Sequence, residues 1–209
     1  MELSKSPNHS AIIFDFGGVV IHWDPRRVYR RFLHTDAAID GFFREVGFHR
    51  WNADQDRGAM TWDAAVAELA SRFPHHRQLI GAYHEFWEDS IAGPIEGTVR
   101  IIERLRASGQ RLVGLSNWSS EKFRLTQQRY DLFKLFDEIV ISGDEKVMKP
   151  EREIFEITLG KLGLRAEECL FIDDSKGNVD AAAALGFQVI HFQSPSQLET
   201  ELMRVGVLQ

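Results

Sequence analysis

Five short apolar runs, each halted by a polar or glycine-rich turn, constrain this chain more than any other feature. Residues 11–14 stop at Asp15 with Gly17 and Gly18 just beyond, residues 111–115 break at Ser116 and Asn117, and residues 138–141 break at Ser142 and Gly143. Residues 169–172 break at Asp173 and Asp174, and residues 188–192 close the series. An apolar run of this length bounded by turn signals predicts a buried strand. Helical spacing lies between the runs: Ile101/Leu105, Phe123/Leu125, Ile154/Phe155/Leu159/Leu162, and residues 181–185. Gly109, Gly163 and Gly186 fall just past such patterns, where a left-handed helix end favours glycine, and Pro150 suits a first helical turn. Strand–helix alternation predicts an α/β fold on a doubly wound parallel sheet.

Between Pro25 and Ile91 the grammar changes. Val28/Phe32, Phe42/Val46, Trp62/Val66/Leu69/Phe73 and Tyr83/Phe86/Trp87 recur at helical spacing with no convincing strand, and Gly93-Pro94 marks the return to the sheet. The chain therefore divides into an α/β core of residues 9–24 and 93–209 and an inserted helical cap of residues 25–92.

Composition removes several function classes. The 209 residues carry 25 basic and 31 acidic side chains, a net charge of −6 with no long single-sign run. That balance speaks against a nucleic-acid partner, whose phosphates call for a basic face. Cys169 is the only cysteine, which excludes an intramolecular disulfide and a thiolate zinc cluster. No apolar run approaches the ~20 residues that span a bilayer, and residues 1–8 lack the hydrophobic region of a signal peptide. The expectation is a soluble, cytoplasmic protein with no membrane partner; the oligomeric state is not encoded in these features.

In open α/β sheets ligands bind beyond the carboxyl ends of the strands. That rule selects Asp15, Ser116, Asn117, Asp173 and Asp174, with Lys149 in the loop after the third run. A few hard oxygen ligands suit Mg²⁺, which accepts substrate phosphate oxygens as well, so Asp15 and Asp174 are candidate ligands. A carboxylate beside such an ion can also attack phosphorus and form an aspartyl-phosphate. Ser116, the Asn117 backbone N–H and Lys149 would hold the transferred group's oxygens and offset their charge.

Phe14-Asp15-Phe16-Gly17-Gly18-Val19, Leu115-Ser116-Asn117, Lys149-Pro150, and Phe171-Ile172-Asp173-Asp174 with Asn178 four positions on together resemble the four motifs of the haloacid dehalogenase (HAD) superfamily. Singly, each fits an ordinary turn, cap or solvated charge; in order, on predicted strand ends, they match the superfamily over nearly the whole chain. The resemblance implies a Rossmann-like core with a helical cap after the first motif, and Asp15 as nucleophile. It also implies a metal held by Asp15, by the backbone carbonyl of Gly17 and by Asp174, with Asp173 and Asn178 in support. One departure stands out: phosphatases of the superfamily usually carry a second aspartate, the general acid and base, where this chain has Gly17. Departure of the leaving oxygen must then rely on the metal, on water or on a substitute such as His22 or Asp24, further along the same turn.

Most cap aromatics read as helix packing, and His75, His76 and His84 as surface or cap packing. Residues 51–58, polar and ending in glycine, read as a loop that would face Asp15, making Trp51 and Arg57 candidate substrate contacts. Trp118 is a candidate pocket wall. The expected function is a Mg²⁺-dependent phosphatase of a small phosphorylated metabolite. A 2-haloacid dehalogenase using the same aspartate is the alternative that Gly17 favours and Asp173-Asp174 opposes; a catalytically silent binding protein is the third.

Overall fold

The computed structural model describes residues 9–208, so residues 1–8 and their expected lack of a signal peptide lie outside the described residues. The chain runs β1 (Ala11–Phe14), β2 (Ile21–Trp23), α1 (Arg26–Tyr29), α2 (Asp36–Val46), α3 (Phe48–Asp56), α4 (Trp62–Arg72), α5 (Arg77–Glu85) and β3 (Ile91–Pro94). It continues through α6 (Glu96–Ala107), β4 (Leu112–Ser116), α7 (Ser120–Arg129), β5 (Glu138–Ile141), α8 (Ser142–Glu145) and α9 (Arg152–Leu162). The last elements are β6 (Cys169–Asp173), α10 (Lys176–Ala184), β7 (Gln188–His191) and α11 (Pro195–Arg204).

The five expected strands form one parallel sheet in the order β5-β4-β1-β6-β7. Successive side chains on a strand point to opposite faces. Ile12 and Phe14 of β1 accordingly join Ile101 and Leu105 of α6 and Leu198 and Leu202 of α11. Ala11 and Ile13 join Ile154 and Phe155 of α9 and Ala182 of α10 on the other face. Both faces are covered, and the sheet is doubly wound. Its strand order reverses at β1, which puts the C-terminal ends of β1, β4 and β6 side by side.

Gly114 of β4 leaves room for the chain as it emerges from β1, because a Cβ there would stand 2.2 Å from the Phe16 ring. That ring packs against Phe123, Phe133 and Phe136, which anchors the loop carrying Asp15.

Helices α1–α5 are inserted between β2 and β3. Tyr29 lies at their centre, wholly buried, with Phe42, Phe43, Phe48 and Tyr83 around it at ring-centroid distances of 5.0, 5.2, 5.8 and 6.0 Å. Thr35 and Thr61 accept backbone N–H bonds at the starts of α2 and α4, the usual role of a hydroxyl at a helix start. No helix among the described residues is long and apolar enough to cross a membrane.

Three local expectations need correcting. Residues 51–58 are not a loop, since α3 runs to Asp56. Its buried face is Phe48, Trp51, Asn52 and Gln55, a helical spacing masked because two of the four are amides. β2 and β3 pair antiparallel, Ile21 opposite Pro94 and Trp23 opposite Ile91; strands this short show no alternation, and an isolated ribbon tolerates the Gly93-Pro94 that reads as a turn. Pro150 stands before α9, whose N-cap is Glu151, because both Lys149 backbone groups are held by the Asn117 side chain.

Candidate active site

Asp15, Ser116 and Asp173 end β1, β4 and β6 and converge on one ammonium. Lys149 is almost completely buried, and its Nζ donates to the Leu115 carbonyl at 2.8 Å, Asp173 Oδ2 at 2.6 Å and Asp15 Oδ1 at 3.0 Å. Burial works against its charge, and Asp15 and Asp173 outweigh it, raising its pKa. Asp15 gathers its bonds on one oxygen: Oδ1 accepts from the Phe16 N–H at 2.7 Å and the Ser116 hydroxyl at 2.7 Å as well as from Lys149. Among the described residues no hydrogen bond falls on its Oδ2, which leaves that oxygen for a cation or a reacting atom.

Asp173 is used inward on both oxygens, by Lys149, by the Ser175 N–H at 2.8 Å and by Asn178 Nδ2 at 3.0 and 3.1 Å. Asp174 is exposed by contrast. Gly18, at φ +77°, lets the turn after Asp15 close on it: a Cβ at Gly18 would stand 2.3 Å from Asp174 Oδ2.

One oxygen from each of Asp15, Asp173 and Asp174 falls in a cluster within 4.8 Å. Burial, then Asp173 and Asp174 against the opposing Lys149, push the Asp15 carboxyl up to about 7. Burial and Asp173 raise Asp174 in the same way. Three carboxyls, two buried on one ammonium and one exposed, lie close together, and this all-oxygen, negatively charged donor set fits a hard divalent cation such as Mg²⁺.

Beside this cluster is a cleft of about 70 Å³ lined by Gly17, Trp23, Asn52, Asp56, Tyr83, Trp87, Asn117 and Trp118. Of the candidate residues, Gly17, Asn117 and Trp118 are on its walls. Trp51 is not: its indole N–H donates to the Ala65 carbonyl at 3.3 Å and its ring packs edge-on against Trp62. Arg57 makes a two-pronged ion pair with Glu151, one arm at 2.8 Å. His22 is exposed on β2 and Asp24 pairs with the Arg26 N–H and Arg30, so neither lines the cleft. His75 and His76 both meet Glu45, an exposed carboxylate.

Asn52 and Asp56 lie in the segment that the sequence turns toward Asp15 but are not picked out within it, Tyr83 and Trp87 read there as helix packing, and Trp23 does not stand out. The available signal was Asn52 and Asp56 four residues apart, a spacing that puts both on one helical face. Asn52 Nδ2 donates to Asp56 Oδ2 at 2.8 Å. Removal from water, opposed by the Ser119 backbone N–H and reinforced by Asp15, pushes the Asp56 carboxyl up to about 8. Burial and then Asp56 raise Tyr83.

Residues 9–186 match the family model described as haloacid dehalogenase-like hydrolase. A drimenol cyclase of Aspergillus calidoustus is 24% identical over 93% of this chain, which spans 36% of that longer protein. A sesquiterpene phosphatase of Aspergillus oryzae is 25% identical over 87% of this chain and 88% of its own length. Among solved structures, a HAD family enzyme of Bacteroides thetaiotaomicron superposes with a TM-score of 0.73 at 20% identity, covering 88% of this chain and 94% of that one; this last likeness shows the fold.

Proposed function

The chain belongs to the haloacid dehalogenase-like hydrolases, and we propose that within them it is a Mg²⁺-dependent, cytoplasmic phosphatase of a small phosphorylated metabolite, with residues 25–92 as its cap. The observation that carries this is the Asp15 carboxylate: one oxygen is fixed by three donors and the other accepts no hydrogen bond from the described residues, beside two further carboxyls. A nucleophile needs that combination of fixed orientation and a free lone pair.

Asp15, the Gly17 carbonyl and Asp174 would hold the ion, with Asp173 and Asn178 orienting the set. When bound, it would offset phosphate charge and draw the two anions together. Asp15 Oδ2 attacks phosphorus and forms an aspartyl-phosphate. Lys149, whose three N–H donors are taken by Leu115, Asp173 and Asp15, keeps the two carboxyls in register and offsets their charge from within the core, Ser116 steers the nucleophile, and the Asn117 backbone N–H donates to a phosphoryl oxygen. Trp118 and Asn117 wall the leaving-group side. Trp51 and Arg57 act on the cap's packing and seating.

Turnover of 4-nitrophenyl phosphate that appears with Mg²⁺, stops with EDTA and vanishes in Asp15→Asn is the expected result. Metal-independent chloride release from a 2-chloro acid would replace the phosphatase with a dehalogenase, and neither activity would leave a binding protein.

A further inference from the structure

Position 17 is glycine, so the carboxylic acid that phosphatases of the superfamily usually carry two residues after the nucleophile is missing here. We propose that the inserted helices supply it: Asp56, at the C-terminal end of α3, protonates the leaving group and then deprotonates the hydrolytic water, and Asn52 positions it. This role rests on the phosphatase function proposed above.

Placement is the first argument. Asp56 lines the cleft with Gly17 and Asn117, whereas His22 and Asp24 lie outside it. In an in-line displacement the attacking and leaving oxygens stand on opposite sides of phosphorus. Attack from Asp15 at the sheet edge therefore directs the leaving oxygen toward the helices that roof the cleft, where Asp56 is. Fixation is the second. Asn52 Nδ2 holds Asp56 Oδ2 at 2.8 Å, and the Ser142 hydroxyl of α8 donates to the Asp56 carbonyl at 2.5 Å, so side chain and backbone are tied from both layers.

The third argument is charge. The titratable groups facing Asp56 are Asp15 from the end of β1 and Tyr83 from α5, while α7 and α8 present the uncharged Ser119 and Ser142. Its neighbour Arg57 is engaged by Glu151. With no basic side chain paired to it among the described residues, an ionised Asp56 would oppose both Asp15 and a bound phosphate, so the acid form is favoured when substrate binds.

The steps balance. Asp15 Oδ2 bonds to phosphorus as the P–O bond to the leaving group breaks, and the departing oxygen takes the Asp56 proton to become an alcohol. Water then attacks the aspartyl-phosphate and gives one proton back to Asp56, releasing inorganic phosphate and the Asp15 carboxylate.

The test compares kcat/KM for 4-nitrophenyl phosphate and for phenyl phosphate, whose leaving phenolate is more basic, in the wild type and in Asp56→Asn. General acid catalysis matters most for the poorer leaving group, so the variant should lose ~10²–10⁴-fold on phenyl phosphate and under about tenfold on 4-nitrophenyl phosphate. Nitrophenolate should appear as a burst and then slow turnover, because the second step has lost its base. Two further variants guard against a folding defect. Asn52→Ala should shift the same selectivity part of the way, and Gly17→Asp, where a Cβ meets nothing within 4 Å, should restore phenyl phosphate turnover to Asp56→Asn. Equal losses on both substrates, or none, in a protein whose wild type is active would overturn the role of Asp56 and leave the phosphatase standing. A wild type inactive on both would overturn the phosphatase itself.

Discussion

Asp173 and Asp174 are adjacent and chemically identical, yet their surroundings assign them different work. Asp173 has both oxygens turned to Lys149, Ser175 and Asn178, whereas Asp174 is exposed and close against Gly18. Removing Asp174 therefore takes away a proposed metal ligand and little else. Removing Asp173 takes a counter-charge from a fully buried ammonium, and breaking one side of such a pair typically costs about 3–5 kcal/mol. In EDTA, denaturant unfolding should show a loss of that order for Asp173→Ala and almost none for Asp174→Ala. Mg²⁺ titration should show the opposite preference, with Asp174→Ala the weaker binder. A metal-free stability loss shared equally by the two variants would mean that Lys149 does not depend on Asp173.

At the scale of elements, the end of α3 is where the inserted helices hold the core. Arg57 grips Glu151, Lys146 Nζ donates to the Gly58 carbonyl at 2.9 Å, and the Trp62 indole N–H donates to Ser119 Oγ at 2.8 Å. On the other side the connection is covalent, through the β2–β3 ribbon. A cleft of about 70 Å³ is far below the ~300 Å³ at which small-molecule pockets begin, so the proposed phosphate ester would need the inserted helices to move off the core. The Arg57–Glu151 pair opposes that movement. Both side chains keep roughly a third of their exposure, 38% and 35%, which limits an ion pair to about 0.2–1 kcal/mol and makes it salt-sensitive. A double-mutant cycle on Arg57→Ala and Glu151→Ala should return a coupling in that range, falling as salt rises. Because Arg57 does not line the cleft, the two single variants should change KM for 4-nitrophenyl phosphate alike. A rise in KM confined to Arg57→Ala would put the guanidinium on the substrate after all.

For the molecule as a whole, the sheet was legible because each strand is buried on both faces and so writes an unbroken apolar run, as in residues 11–14 and 169–172. The site was legible where those runs stop, at Asp15, Ser116, Asn117 and Asp173-Asp174, because a strand end fixes position in space. The inserted helices obeyed no such rule. The segment 51–58 was legible as one that faces Asp15, but read as a loop it offered Trp51 and Arg57, and only its helical form puts Asn52 and Asp56 on the cleft instead. The docking of α3 over the cleft leaves a trace in stability. In metal-free protein the folded state keeps protons on Asp15 up to about pH 7 and on Asp56 up to about pH 8, whereas unfolded carboxyls release theirs near ~4. A folded state that holds the extra proton loses stability as pH rises through the interval, and the loss ends above the folded value. Glu45, Glu151 and Glu168, held below the usual carboxylate range by their hydrogen-bonding partners, contribute their slope only in acid. His84, lowered by burial and Lys122, adds an opposite slope that is complete by about its ordinary value of 6.5. Between about pH 7 and 8 Asp56 then contributes a falling slope of its own, beside those of Asp15 and the raised Asp174. Urea unfolding in EDTA should show stability declining across that unit in the wild type and a clearly flatter profile in Asp56→Asn. An unchanged slope in the variant would mean that Asp56 is already ionised in the folded protein at neutral pH, and therefore has no proton to give.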